Sequence, residues 1–144
     1  MDYVCYDKAK WHFGGDFPED LPIYQGYVHT GMFMGWLAEH DFLSEEFADE
    51  VEQIKKRERT GTQVYEDWDG VLDSNMLTAE GNAFAVYYYE SVDDNNSIYI
   101  DDYGNVLGFE LPTLYHVEDS WENYQKISQR IDERYVSWRA VQSN

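Results

Sequence analysis

The chain has 144 residues, which suits one domain with a substantial hydrophobic core. Its 29 acidic residues outnumber its 10 basic ones, and the formal net charge is −19. Such a charge disfavours nucleic acid and anionic membranes as partners, and it favours a basic protein, a cation or simple solubility. An aromatic content of 17% argues against a disordered acidic chain.

Neither a disulfide framework nor a membrane anchor is predicted. Cys5 is the single cysteine and cannot form an internal disulfide. No apolar run approaches the ~20 residues that a membrane-spanning helix needs. The first ten residues, MDYVCYDKAK, lack the basic and apolar regions of a signal peptide. We therefore expect a soluble cytoplasmic protein.

The N-terminal segment is predicted to be an ordered, aromatic-rich loop. After a short apolar stretch around Tyr3 to Tyr6, the sequence WHFGGDFPEDLP occupies residues 11–22. Its paired glycines and two prolines forbid a continuous helix there. Aromatic residues that alternate with turn formers indicate a segment that wraps over a core.

Helices are predicted over residues 27–40, 45–57 and 79–92, and a short helix that carries Val64, Tyr65 and Trp68 is predicted between residues 60–62 and Gly70. In helix 27–40, Gly31 and Gly35 weaken an isolated helix, and we expect another helix to approach them closely as compensation. In helix 79–92, three consecutive tyrosines span more than half of the circumference, and Tyr89 is expected to face outward. Residues 71–77 are expected to form a further short turn or helix.

The segment 93–117 is ambiguous. Residues 97–100 can begin a strand that returns over 106–109 as a β-hairpin, and the same residues also fit a helix. Because an isolated hairpin is marginally stable, we favour a helix or irregular structure here.

The C-terminal segment 119–141 carries the clearest helical period, with apolar residues separated by three or four positions. Asp119 is predicted as its N-cap, and Glu122 precedes Lys126 by the four residues that favour a helical ion pair. The fold class that follows is all-α: a single compact domain spanning 1–144, with five or six helices and at most one short β-hairpin near 97–109. The C-terminal helix is expected to pack against 27–40 and 79–92.

Several sequence blocks resemble a family of small acidic bacterial proteins of unassigned function. The most specific are WHFGGDFPEDLP (11–22) and LYHVEDSWENY (114–124), and HTGMFMGWL (29–37), EGNAFAVYYY (80–89), DDYGNVLG (101–108) and IDERYVSW (131–138) accompany them. The resemblance covers nearly the whole chain. It implies a stand-alone cytoplasmic protein of the kind encoded beside secreted toxins as an immunity protein, and it carries over no catalytic residues.

No catalytic or metal-binding motif is recognised. The four histidines, His12, His29, His40 and His116, lack the spacing of a zinc site, and residues 93–104 fail the EF-hand pattern. The sequence contains no nucleophile elbow, P-loop or dinucleotide fingerprint. We therefore predict a protein that is not an enzyme and that has no metal or other cofactor.

The strongest functional signal is an acidic window without basic residues. Between Thr60 and Gln125 the chain has 14 acidic residues and no lysine or arginine. The aromatic residues interleaved with them are candidates for exposure: Tyr65, Trp68, Tyr89, Tyr99 and Tyr103. Carboxylates steer a basic protein and pair with its arginines and lysines, and aromatic side chains provide anchors. The predicted partner-binding residues are Glu66, Asp67, Trp68, Asp69, Asp93, Asp94, Tyr99, Asp101, Asp102 and Tyr103.

The function predicted from these observations is neutralisation of a basic partner protein, with a bacterial toxin or effector as the favoured partner. In an alternative interpretation, the carboxylates imitate phosphates and the protein is a nucleic-acid mimic that inhibits a DNA-binding protein. An enzyme is the third alternative, and the remaining interpretation of the acidic window is a solvated face without a partner.

Overall fold

The computed structural model describes residues 2–13, 17–90 and 97–142. Within them the chain forms a single compact domain with seven α-helices and one two-stranded antiparallel sheet, so the predicted all-α class is confirmed. The strands are β1 (Cys5–Lys8) and β2 (Val71–Asp73). The helices are α1 (Ala9–Phe13), α2 (Val28–Glu39), α3 (Ala48–Lys55), α4 (Gly61–Asp67), α5 (Ala79–Tyr88), α6 (Ile98–Tyr103) and α7 (Trp121–Gln142). None of the helices described is both long and apolar enough to cross a membrane.

Helix α2 lies at the centre of the domain. Every residue from Val28 to Ala38 is buried, because α3, α4 and α7 all pack around it. A helix that is buried on all sides needs apolar residues around its whole circumference, which the sequence of α2 provides. The predicted helix 27–40 is confirmed to within one residue at either end.

Glycines allow α2 and α4 to approach closely. A Cβ atom added at Gly61 would collide with the carbonyl oxygen of Gly31 and would lie 2.5 Å from the amide nitrogen of Gly35. A Cβ atom at Gly31 would in turn collide with the backbone of Thr62. The expected close approach of a second helix to Gly31 and Gly35 is therefore confirmed, and the partner is α4.

Helix α7 covers α2 and α5 with the predicted apolar stripe, in which Tyr124, Ile127, Ile131 and Trp138 are buried. The N-cap prediction was wrong by one residue. The Oγ atom of Ser120 accepts the amide hydrogen of Asn123, with 3.1 Å between the heavy atoms.

Asp119 has a different role, as a link between the start of α7 and two other segments. Its carboxylate accepts hydrogen bonds from Tyr24 at 2.7 Å, Thr60 at 3.0 Å and Thr62 at 2.9 Å. The Glu122–Lys126 ion pair forms as predicted, at 3.6 Å.

The β-sheet was not predicted from the sequence. One of its strands lies in the N-terminal segment, where a loop is expected, and the other lies in 71–77, where a short turn or helix is expected. Strand β1 lies in the N-terminal segment and pairs antiparallel with β2, and α1 follows β1 directly. The alternative hairpin at 97–109 does not form. Residues Ile98–Tyr103 are α6, and a π-helical turn continues over Gly104–Gly108.

Two further expectations need correction. The predicted helix 45–57 begins as a 3-10 turn, Glu45–Phe47, before α3. On α5 and the residue after it, Tyr87 faces solvent, whereas Tyr89 is buried against Phe33 and Tyr99.

Candidate functional site

Four of the predicted partner-binding residues form an exposed turn at the end of α4: Glu66, Asp67, Trp68 and Asp69. We call them the Trp68 surface. The backbone reverses there through Asp69 and Gly70, both with φ of 63°, a left-handed conformation that suits glycine and that aspartate tolerates. Trp68 is 37% exposed, and one side of its ring packs on Phe47 with ring centroids 4.3 Å apart. The aromatic anchor is thus fixed and accessible.

The predicted residues on α6 are largely buried. Tyr99 and Tyr103 are fully buried, and Asp102 is 2% exposed. The expectation that these residues face solvent was wrong, as it was for Tyr65 and Tyr89. They are buried because α6 places one side against α7 and the core. Asp101 is exposed, whereas the predictions at Asp93 and Asp94 lie outside the described residues.

Asp102 forms an internal ion-pair network. Its carboxylate accepts hydrogen bonds from Arg130 at 3.1 Å, from Arg134 at 3.0 Å and from the Tyr88 hydroxyl at 2.8 Å. Burial alone would raise the pKa of Asp102, but the two arginines and the tyrosine lower it below its usual value. Asp102 therefore joins α6 to α7 inside the protein and is not available to a partner.

The structure brings together three residues that the sequence analysis kept apart: Asp7, His12 and His29. Asp7 lies on β1, His12 on α1 and His29 in the first turn of α2. The His12 Nε2 atom lies 2.9 Å from Asp7 Oδ1, and the His29 Nε2 atom lies 3.4 Å from Asp7 Oδ2. The two Nε2 atoms are 3.2 Å apart. We call this group the Asp7–His12–His29 cluster.

Neighbouring groups hold the Asp7 carboxylate in place. Its Oδ2 atom accepts hydrogen bonds from the hydroxyls of Thr30 at 3.0 Å and Tyr89 at 2.5 Å. Its Oδ1 atom accepts one from the backbone amide of Lys8 at 2.8 Å. The Nδ1 atom of His12 lies 2.8 Å from the hydroxyl of Tyr115. Each of these bonds restricts the orientation of a side chain in the cluster.

Burial and charge act in opposite directions at the Asp7 carboxylate. Burial would raise its pKa, but hydrogen bonds from His12 and His29 and their positive charge hold that pKa well below the usual range. For Tyr89, burial and the adjacent Asp7 charge both raise the pKa well above its usual value. Asp7 is therefore a carboxylate and Tyr89 a neutral hydrogen-bond donor at neutral pH.

Access to the cluster is through His12, because the His12 side chain is 23% exposed whereas those of Asp7 and His29 are 8% and 3% exposed. No sequence motif predicts this group. Its members are 5 and 17 residues apart and lie on three different elements, so no spacing motif relates them. A histidine on the otherwise apolar helix α2 was the one local signal.

A family model named Domain of unknown function (DUF7832) matches residues 5–117. The chain belongs to this family. The DUF7832 match includes all of the Asp7–His12–His29 cluster, Tyr115 and the Trp68 surface, whereas α7 lies beyond it. Searches of curated proteins and of solved structures found no significant match.

Proposed function

We propose that this protein binds and neutralises a basic partner protein, and that the partner is a bacterial toxin for which it serves as the immunity protein. The observation that carries the proposal is the Trp68 surface, where a partly exposed, packed indole is adjacent to three exposed carboxylates, one of which, Asp67, pairs with Arg59. Buried anchors of this aromatic type contribute much of the binding energy in protein interfaces.

The distribution of ion pairs supports a basic partner. Among the residues that the structure describes, eight of the ten basic side chains pair with acidic groups of the same chain: Lys55, Lys56, Arg57, Arg59, Lys126, Arg130, Arg134 and Arg139. Since the chain carries 29 acidic residues, many carboxylates remain in excess of these pairs. A surface of this kind attracts arginine and lysine side chains and repels anionic partners.

The two kinds of residue in the Trp68 surface are expected to act on different rates. Exposed carboxylates accelerate encounter with a positive surface, and salt weakens this effect over a Debye length of ~8 Å at physiological ionic strength. A packed aromatic side chain mainly slows dissociation. Charge reversal and truncation therefore separate the two contributions.

The experiment measures association and dissociation rates with the toxin candidate encoded beside this protein's gene. Glu66→Lys/Asp69→Lys is expected to slow association about tenfold or more at low salt, with little difference at high salt. Trp68→Ala is expected to speed dissociation, at a cost of about 2 kcal/mol or more in binding free energy.

A matched control is Glu110→Lys/Glu133→Lys, which reverses two exposed acids outside the Trp68 surface. Acids at 45–50 are unsuitable for this purpose, because Phe47 in that segment packs directly on Trp68. If the folded Glu66→Lys/Asp69→Lys and Trp68→Ala proteins both retain wild-type rates, the Trp68 surface is not the interface. If the candidate toxin does not bind the wild-type protein, the toxin assignment fails.

The nucleic-acid-mimic alternative makes a different prediction for the same assay. In this alternative, the partner binds the carboxylates of this protein with the same surface that it uses to bind DNA phosphates. Duplex DNA should therefore compete with this protein and displace it from the partner. A toxin held through the Trp68 surface should remain bound when duplex DNA is added.

A further inference from the structure

The Asp7–His12–His29 cluster has the composition of a metal site. Two imidazoles and one carboxylate are the donor set of many three-ligand zinc sites and of non-haem iron sites. The three side chains each offer one donor atom, and these donors all lie within 4.8 Å of one another. We infer that this cluster binds one divalent transition-metal ion, and this inference is independent of the function proposed above.

The distances between donor atoms fit coordination of one ion. Zinc bonds of about 2.0–2.2 Å place neighbouring ligand atoms about 2.8–3.5 Å apart in octahedral to tetrahedral geometry. The separations here are 2.9 Å between His12 Nε2 and Asp7 Oδ1, 3.2 Å between the two Nε2 atoms and 3.4 Å between His29 Nε2 and Asp7 Oδ2. All three lie within that range. Because the Asp7 distances involve different oxygens, the carboxylate binds the ion through both oxygens or rotates to present one.

The position of the two imidazoles is compatible with a cation. Their Nε2 atoms are 3.2 Å apart, a distance that a hydrogen bond from one ring to the other also explains. A bound cation would replace that hydrogen bond by accepting a lone pair from each ring beside the Asp7 carboxylate. The competing arrangement is a plain ion pair in which a protonated His12 bridges Asp7 and Tyr115.

The surrounding hydrogen bonds are those of a supported metal site. Metal binding needs the His12 tautomer with hydrogen on Nδ1, which donates to the Tyr115 hydroxyl, and the ion then takes the place of the Nε2 hydrogen that Asp7 otherwise accepts. The hydroxyls of Thr30 and Tyr89 fix the Asp7 carboxylate from its other side. Outer groups of this kind orient the ligands and raise metal affinity.

The ligand count indicates an open site. Among the described residues, this group contains three His, Cys, Asp or Glu ligands. A structural zinc site usually has four protein ligands, whereas a site with three keeps a position for water or a small anion. Two imidazoles favour zinc, nickel, cobalt or ferrous iron over magnesium and calcium, which prefer oxygen ligands.

Isothermal titration of the chelator-stripped, untagged full chain with Zn²⁺, Co²⁺ and Mg²⁺ tests the inference. We expect one Zn²⁺ or Co²⁺ per chain, with visible absorption bands of Co²⁺ that report nitrogen coordination, and no comparable binding of Mg²⁺. His12→Ala is expected to weaken Zn²⁺ binding more than about tenfold, and Tyr115→Phe to weaken it about tenfold. His40→Ala is the matched control, because His40 also pairs with a carboxylate, Asp132, at 3.2 Å.

Folding of each variant is checked by circular dichroism and thermal unfolding. His12 is partly exposed, and Tyr115→Phe removes a single hydroxyl, so at least one of these variants is expected to fold. Zinc should raise the Tm of the wild type and of His40→Ala, and raise it less for His12→Ala. Wild-type protein that binds no Zn²⁺ or Co²⁺, or binding that persists unchanged in both folded cluster variants, would overturn the inference. If 0.5 M NaCl abolishes the binding of Zn²⁺ and Co²⁺, the ions bind the acidic surface and not the cluster, and the inference is also overturned.

Discussion

At the scale of single residues, Asp101 and Asp102 show how neighbouring acids take different roles. Asp101 is exposed, whereas Asp102 is buried against Tyr88 and two arginines whose side chains are 35% and 42% exposed. Removing one partner of a buried ion pair leaves uncompensated groups behind, although solvent around the arginines reduces the cost here. Asp102→Asn is therefore expected to lower the free energy of unfolding by about 2 kcal/mol or more. Urea denaturation measures this change, and Asp101→Asn serves as the control, with an expected effect within about 0.5 kcal/mol.

The lowered pKa of Asp102 also predicts how the stability of the protein depends on pH. The folded-state pKa of Asp102 is lowered, so its contribution to stability is complete above the unfolded-state pKa of about 3.9. That contribution decreases as the pH falls through the folded-state pKa, because the carboxyl becomes protonated in both states. The stability difference between wild type and Asp102→Asn should therefore be constant from pH 7 to about pH 5 and shrink in more acidic solution. A difference that stayed constant down to pH 2 would show that the Asp102 charge contributes nothing.

At the scale of secondary-structure elements, the close contact between α2 and α4 depends on glycines, which have no side chain. A methyl group at Gly61 has no space, since it meets backbone atoms of Gly31 and Gly35, and backbone cannot move aside as a flexible side chain can. Gly61→Ala is expected to destabilise the domain by about 2 kcal/mol or more, despite the better helix propensity of alanine. Gly104→Ala is the control, because its Cβ would meet only a Leu114 methyl group at 3.3 Å. Thermal unfolding of both variants measures the difference, and equal Tm values would show that the helices can separate at little cost.

Elements with long apolar periods were predictable from the sequence. Helices α2 and α7 have 12 and 22 residues, enough for the period of 3.6 to be read clearly. Strands β1 and β2 have four and three residues, and the residues that pair lie more than 60 positions apart. Too few alternations exist in such strands to reveal a period, and pairing at that distance is decided by tertiary contacts.

The candidate sites were likewise predictable only where their residues are close together in the sequence. The exposed Trp68 surface was predictable because its four residues are consecutive in the chain. Tyr99 and Tyr103 were wrongly expected to be exposed, because acidic neighbours suggested a solvated segment while the tyrosines themselves face the core. The Asp7–His12–His29 cluster depends on β1, α1 and α2 meeting in space, and the short strand β1 was itself missed.

At the scale of the whole molecule, the net charge of −19 opposes compaction. Salt weakens this repulsion and also weakens the exposed ion pairs, which contribute only about 0–1 kcal/mol each. Because carboxylates exceed the basic groups almost threefold, relief of repulsion is expected to be the larger effect. Raising NaCl from 10 mM to 500 mM screens the repulsion between carboxylates more strongly. It should therefore raise Tm by about 3 °C or more.

The neutralised variant Glu110→Gln/Glu118→Gln/Glu133→Gln tests whether repulsion is the cause. All three side chains are exposed, so the substitutions remove negative charge at sites with little packing. The variant is expected to have a higher Tm than wild type at 10 mM NaCl and a smaller gain from added salt. A Tm that falls with NaCl in the wild type would show instead that the ion pairs outweigh the repulsion. The domain would then be held together by charge pairing, and the excess of carboxylates would cost it little.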